Sequence, residues 1–376
     1  MIEPAKRAGM IGSLFALVGI LLFAPLALGA PSSSSHPPGL SGNGRAVVGA
    51  AALSGALAWK NITQGLHPSA RTGASMVYDA ADHYVVLFGG DDSAYGDHSL
   101  NDTWRFSGGK WMNITSGITP RDRESATIAY DAADGYVVLF GGYSATTNNN
   151  HSSRQWVFLN DTWRFVGGKW SNITPGTSPA VSSENVMAFD GKDGYIVLWQ
   201  DRWVLQHTWV NYPATWTFVS GVWTNQSAAS KGPVGYPGTM AYDPHGHFVL
   251  LFSEGWGQST WTFQNLTWTE IQNGGSNPHG SPSARVYPMM AYDAQNKSVI
   301  LFGGTSAGVN NSVCVLGDTW SFHGGKWAHL TPTVSPPPLY NGAMTYDPGA
   351  RGVLLFGGTG ATACAGPALG DSWILR

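Results

Sequence analysis

Tyr130-Asp131-Ala132-Ala133-Asp134-Gly135-Tyr136-Val137-Val138-Leu139-Phe140-Gly141-Gly142 reads as a tight hairpin whose second arm ends in a glycine doublet. Asp-Gly at the tip suits a short hairpin loop, and the β-branched and aromatic residues around it suit strands. The pattern recurs. A Tyr-Asp or Phe-Asp step falls at 78–79, 130–131, 189–190, 242–243, 292–293 and 346–347, spaced by 52, 59, 53, 50 and 54 residues. Each step precedes a β-rich run: VVLFGG from Val85 and Val137, IVLWQD from Ile196, VLLFSE from Val249, VILFGG from Val299 and VLLFGG from Val353.

Two more strands follow each run after a variable loop. One is centred on Trp104, Trp163, Trp216, Trp261, Trp320 or Trp373, and the next carries Trp111, Trp170, Trp223, Trp268 or Trp327. Four strands per repeat, a to d, cannot bury both faces of a lone sheet. Stacking such sheets radially can, and a period near 50 residues is that of a β-propeller. The chain ends decide how the ring closes. The last repeat stops at its c strand, Asp371-Ser372-Trp373-Ile374-Leu375-Arg376, while Trp59-Lys60-Asn61-Ile62-Thr63 is a d strand with nothing before it. The fold expected over 56–376 is therefore all-β: a six-bladed β-propeller of four-stranded blades, closed by the N-terminal strand completing the last blade. Closure removes the open sheet edges that invite aggregation.

Only 11% of the 376 residues are charged and the net charge is −3, without clusters of Lys and Arg, so nucleic acid is not an expected partner. The 17 Trp, 14 Tyr and 15 Phe exclude a disordered chain. At the N-terminus, Lys6 and Arg7 precede an apolar run from Met10 to Ala30. A basic segment before an apolar one is an export signal, so residues 1–30 are read as a signal peptide or an N-terminal membrane anchor. Membrane anchoring through residues 10–30 and a secreted fate both stay open. Residues 31–55 form a Pro/Ser/Gly/Ala-rich linker, and the expected location is extracellular or cell-surface.

The Gly-Gly doublets at 89–90, 141–142, 303–304 and 357–358, with Asn-Asp-Thr-Trp-Arg-Phe at 101–106 and 160–165, resemble kelch repeats, including the kelch-like central domain of galactose oxidase. The resemblance covers 56–376 and implies the fold. It does not imply one function, because such propellers host binders and enzymes alike. Blades 3 and 4 depart from the pattern, with Gln200-Asp201 and Ser253-Glu254 in place of the doublet.

Function is expected where the b–c loops, which vary, share a face with the d–a loops. Trp156, Trp203, Trp209 and Trp256 lie in b–c loops of blades 2 to 4, outside the repeat pattern. Asp201-Arg202-Trp203 and Glu254-Gly255-Trp256 place an acid beside an aromatic plate, which suits a sugar; packing beneath their own loops is the alternative. Arg71, Arg123 and Arg285 share one register near the channel rim. There they either meet an anionic ligand or bond loop carbonyls and the acids Glu124 and Glu184. Cys314 and Cys364 are the two cysteines, and an exported chain favours their pairing. Asn150 and Asn310 are candidate glycan acceptors. No catalytic residue, metal site or cofactor is identified. The leading expectation is a monomeric binding module for a glycan or protein at the cell surface. A carbohydrate-active enzyme and a rigid structural spacer are the alternatives.

Overall fold

The computed structural model describes residues 57–93, 98–147, 154–182, 184–201, 203–205, 209–211, 213–228, 232–233, 237–253, 259–272, 280–307, 313–360 and 366–376. Six four-stranded antiparallel sheets stand in a ring. Blade 1 comprises Ser75–Asp79 (a), Tyr84–Phe88 (b), Thr103–Ser107 (c) and Lys110–Asn113 (d). Blades 2 to 5 repeat that order from Thr127–Asp131, Glu184–Asp190, Pro237–Asp243 and Met289–Asp293. Each a strand contacts the a strands on both sides. Ser75–Asp79 touches Thr127–Asp131 and also Ala343–Asp347 of blade 6, which closes the circle.

The closure follows the expectation. Blade 6 consists of Ala343–Asp347, Gly352–Phe356, Ser372–Leu375 and, as its d strand, Trp59–Asn61. Trp59 pairs with Leu375, Lys60 with Ile374 and Asn61 with Trp373. The ladder extends through Ala58 N–H to Arg376 O at 3.1 Å and Arg376 N–H to Ala58 O at 3.2 Å.

The Trp of every d strand explains how the blades lock. Its indole N–H donates to the hydroxyl that opens strand c of the preceding blade. Trp111 donates to Ser372, Trp170 to Thr103, Trp223 to Thr162, Trp268 to Thr215 and Trp327 to Thr260, each at 2.9 Å. Trp59 donates to Thr319 at 3.2 Å, so the interface between blades 5 and 6, built in part by the N-terminal strand, carries the same bond as the other five. An aromatic ring buries a large apolar area while its N–H stays satisfied. Apolar clusters fill the blade interfaces. Val85, Leu87 and Phe106 meet Leu354 and Phe356, while Trp59 and Leu375 meet Ile300 and Phe302.

The terminal Asp of strand a caps the a–b turn, as when Asp131 Oδ1 accepts the N–H groups of Ala133 and Asp134 at 3.1 and 3.3 Å. On the opposite face the glycine doublet joins one blade to the next. Gly90 N–H donates to Arg123 O at 2.9 Å, Gly304 N–H to Leu339 O at 3.0 Å and Gly358 N–H to Arg71 O at 2.9 Å. Gly89 has φ +66, and a Cβ there would lie 2.5 Å from Arg123 O, so only glycine fits. In blades 3 and 4 the a–b ladder runs on through the doublet positions. Asn185 pairs with Gln200, Glu184 with Asp201 and Pro237 with Ser253. Where the doublet is missing, the sheet continues toward the variable face.

Candidate functional site at the channel mouth

The b–c loops do stand on one face, and in blades 2, 3 and 5 they form hairpins: Tyr143–Thr147 with Arg154–Phe158, Trp203–Leu205 with Trp209–Asn211, and Thr305–Ala307 with Val313–Val315. At the centre of this face the channel opens into a cavity of about 210 Å³, walled by the first residues of all six a strands. Ser75, Ser125, Thr127, Asn185, Thr239, Tyr287 and Asn341 are its polar lining residues, and Met76, Met240, Met289, Met290 and Met344 line it as well. No Asp, Glu, His, Cys, Lys or Arg contributes to the described lining.

A chain of backbone hydrogen bonds runs around this mouth. Asn341 N–H donates to Tyr287 O at 3.0 Å, Gly73 N–H to Asn341 O at 2.9 Å and Ser125 N–H to Gly73 O at 2.8 Å. These four residues occupy one register, six before the Asp that ends strand a, so the collar links blades 5, 6, 1 and 2. Blade 4 has Pro237 at that register, beside a shift in the pairing of its a and b strands. Tyr287 lies beside Tyr340 with ring centroids 6.4 Å apart. Burial raises the Tyr340 phenol above its ordinary value, partly offset by a hydrogen bond with Thr359.

The three arginines are not free cations at the rim. Arg71, Arg123 and Arg285 are 1%, 0% and 2% exposed. Arg123 donates to Gly141 O at 2.9 Å and, through two nitrogens, to Asp161 at 2.6 and 2.8 Å. Arg71 holds Gly89 O and Asp102 in the same way, as Arg285 holds Gly303 O and Asp318. Loop carbonyls are thus partners as considered, but the acid held by each is the Asp two residues before the c-strand Trp; the Glu184 side chain lies outside the described residues. That Asp also accepts the indole N–H of Trp104, Trp163 or Trp320 at 2.6 Å. Burial pushes the Asp161 and Asp318 carboxyls up, but the paired guanidinium and indole outweigh it and hold both below the usual range. These triads tie strand a's entry to strands b and c of its own blade.

Trp156 is half-buried and packs edge-on against Tyr143 at 5.1 Å, which in turn meets Phe158 at 5.8 Å. Phe158 is 43% exposed, so this hairpin presents an aromatic edge. Register pairs Trp203 with Asn211 and Trp209 with Leu205 in the blade 3 hairpin. Asp201 ends strand b of blade 3 opposite Glu184. The side chains of Asp201, Trp203, Trp209 and Cys314 lie outside the described residues, as do Glu254, Trp256, Cys364, Asn150, Asn310 and residues 1–56. Among the described residues no three of His, Cys, Asp and Glu come together to hold a metal.

Sequence reasoning missed Ser125, Tyr287 and Asn341. Their one visible signal is a position that varies inside an otherwise repeating frame: Gly73, Ser125, Glu184, Pro237, Tyr287, Asn341. The left-handed backbone that makes them unusual leaves no mark in the sequence.

The architecture defines the class: this chain is a six-bladed β-propeller. The sequence matches no protein-family model and no curated protein. Among solved structures, it superposes on the protein YjhT with a TM-score of 0.57 at 15% identity, over 81% of this chain and 95% of that one. A gluconolactonase from Xanthomonas campestris gives 0.48 at 12% identity, over 87% of this chain and 93% of that one. At such identities the likeness speaks for the fold alone.

Proposed function

We propose that this chain is an exported, kelch-type propeller that acts as a binding module, taking a glycan or protein ligand on the b–c/d–a face. The observation that carries this reading is the cavity at the centre of that face, walled by all six blades and rimmed by the most variable loops. Rigid strands beneath variable loops are where recognition is usually built. Binding is favoured over hydrolysis because the described lining offers no pair of carboxylates for acid and base roles. Residues 10–30 either anchor the chain or are removed on export. A Cys314–Cys364 disulfide and glycans on Asn150 and Asn310 fit the same extracytoplasmic setting.

The full chain is tested on glycan and protein arrays beside two variants. One is Asn341→Gly on the proposed face, and the other is His245→Ala in the a–b turn of blade 4, on the opposite face. Signals lost in the first and kept in the second support the proposal. Signals indifferent to Asn341→Gly, or no signal on either array, sink it.

A further inference from the structure

Among the described residues ten non-glycine residues have a left-handed φ. Seven sit in hairpin turns: His83, His247, Lys297 and Arg351 between strands a and b, and Ser220, Asn265 and Leu266 between c and d. The other three are Ser125 at +53°, Tyr287 at +53° and Asn341 at +55°, all at the collar of the channel mouth. Most L side chains resist this conformation, asparagine less than serine or tyrosine, and glycine does not. Blade 1 has Gly73 at the same register with φ +63 and the same collar bonds, so glycine fits there without loss of structure. Three blades keep a side chain against the backbone's preference.

For Ser125 and Asn341 the bonding among the described residues gives no reason for keeping one. The Ser125 hydroxyl and Asn341 carboxamide make no hydrogen bond among the described residues, and both groups line the cavity. Strain of this kind collects at ligand sites, where the surrounding structure holds a group in place for a partner. The ring also sets these residues against one another. Blade 5 stands across the channel from blade 2, and blade 6 from blade 3. Tyr287, backed by Tyr340, therefore occupies the wall opposite Ser125 and Thr127, and Asn341 the wall opposite Asn185.

We infer that Ser125, Tyr287 and Asn341 are ligand contacts and that the ligand is the uncharged end of a saccharide. An aromatic plate on one wall takes the C–H face of a sugar ring, while hydroxyl and amide groups on the other exchange hydrogen bonds with its hydroxyls. A carboxylate-bearing sugar would be desolvated with no cation among the described lining to answer it, since the guanidinium groups of Arg71, Arg123 and Arg285 are already paired. The cavity, about 210 Å³ at the mouth of the channel, admits one terminal sugar ring rather than a chain. The inference rests on the reading of this face as a binding surface.

The experiment is a glycan array carrying uncharged hexose-terminated and carboxylate-terminated glycans, read with the full wild-type chain, Ser125→Gly and Asn341→Gly. Melting temperatures are measured in parallel. Both substitutions relieve a left-handed side chain, so melting holds or rises. Wild type retains uncharged glycans, and each variant retains them at least tenfold less. Preference for carboxylate-terminated glycans, equal retention by all three proteins, or no glycan retained overturns the inference. So does a marked fall in melting temperature, which would make the side chains structural. A protein ligand lost in Asn341→Gly with no glycan retained overturns the saccharide and leaves the binding surface standing; indifference of every ligand to Asn341→Gly removes both.

Discussion

Blade 6 has the construction of the other five, but its c and d strands come from the two ends of the chain and are joined by hydrogen bonds and packing alone. Trp59 tests whether it bears equal load. Its side chain is 1% exposed, meets the Phe302 ring at 5.4 Å and donates to Thr319, 260 residues away. Truncating a buried Trp to Ala costs about 3–5 kcal/mol, of which the hydrogen bond supplies about 1. Trp59→Ala is therefore expected to lower stability by about 4 kcal/mol, and Trp111→Ala, its counterpart in blade 1, by a similar amount. Trp59→Phe keeps most of the ring and loses the donor, so its expected cost is about 1–2 kcal/mol. Urea unfolding followed by far-ultraviolet circular dichroism measures all three. A cycle with Thr319→Val isolates the bond: the pair should couple by about 1 kcal/mol, well above the scatter of independent sites. Trp59→Ala within about 0.5 kcal/mol of wild type, or strict additivity of Trp59→Phe and Thr319→Val, would refute the idea that the N-terminal strand closes the ring.

Gly89→Ala should cost about 2–5 kcal/mol, combining a left-handed alanine with a Cβ driven against Arg123 O, whereas Gly109→Ala, left-handed at φ +78 with open space around it, should cost about 1–2; thermal melts of the pair check the difference. Arg123→Ala leaves Asp161 charged and unpaired in a largely buried site, so a loss of about 3–5 kcal/mol is expected by urea titration, and an unchanged midpoint would show the triad to be dispensable. Burial, the first cause in each case, raises the phenols of Tyr78, Tyr84, Tyr130, Tyr136, Tyr195, Tyr242, Tyr292, Tyr340 and Tyr346. Stability they contribute is full below the unfolded value near 10 and is lost as pH rises toward the folded values, so most of the tyrosinate absorbance should appear together with loss of circular dichroism; the full tyrosinate absorbance reached in a folded chain would contradict this. On the acid side, Asp161 and Asp318 contribute stability that is lost as pH falls through their lowered values. Burial raises Asp79, Asp131, Asp190 and Asp347, which act in the opposite sense.

The ring was legible because its causes are local and repeated. Tyr130-Asp131 with Asp134-Gly135 specifies a turn wherever it occurs, and Trp59 without preceding strands has one place to go. The arginines show where legibility stops. Their shared register was plain, but their partner lies 31 to 38 residues further on, and nothing in the sequence ranks Asp161 above Glu124 as the acid for Arg123. Ser125 and Asn341 were harder still. A serine or asparagine before a strand is ordinary, and only the blade-to-blade bonding of the collar turns it left-handed.

This contrast separates the work of the repeat from the work of its exceptions. Where the blades agree, a shared residue meets a shared need: the d-strand Trp reaches a hydroxyl one blade back in all six. Where they disagree at no energetic cost, as in exposed loop tips, variation carries little information. The collar register differs from both, because Ser125, Tyr287 and Asn341 vary around a conformation that Gly73 adopts freely. A ring needing only closure would hold glycine at those places, as it does at the doublets that pack against the next blade. Side chains kept in a left-handed backbone and lining a cavity whose described walls carry no charge are the part of this propeller that closure alone does not require.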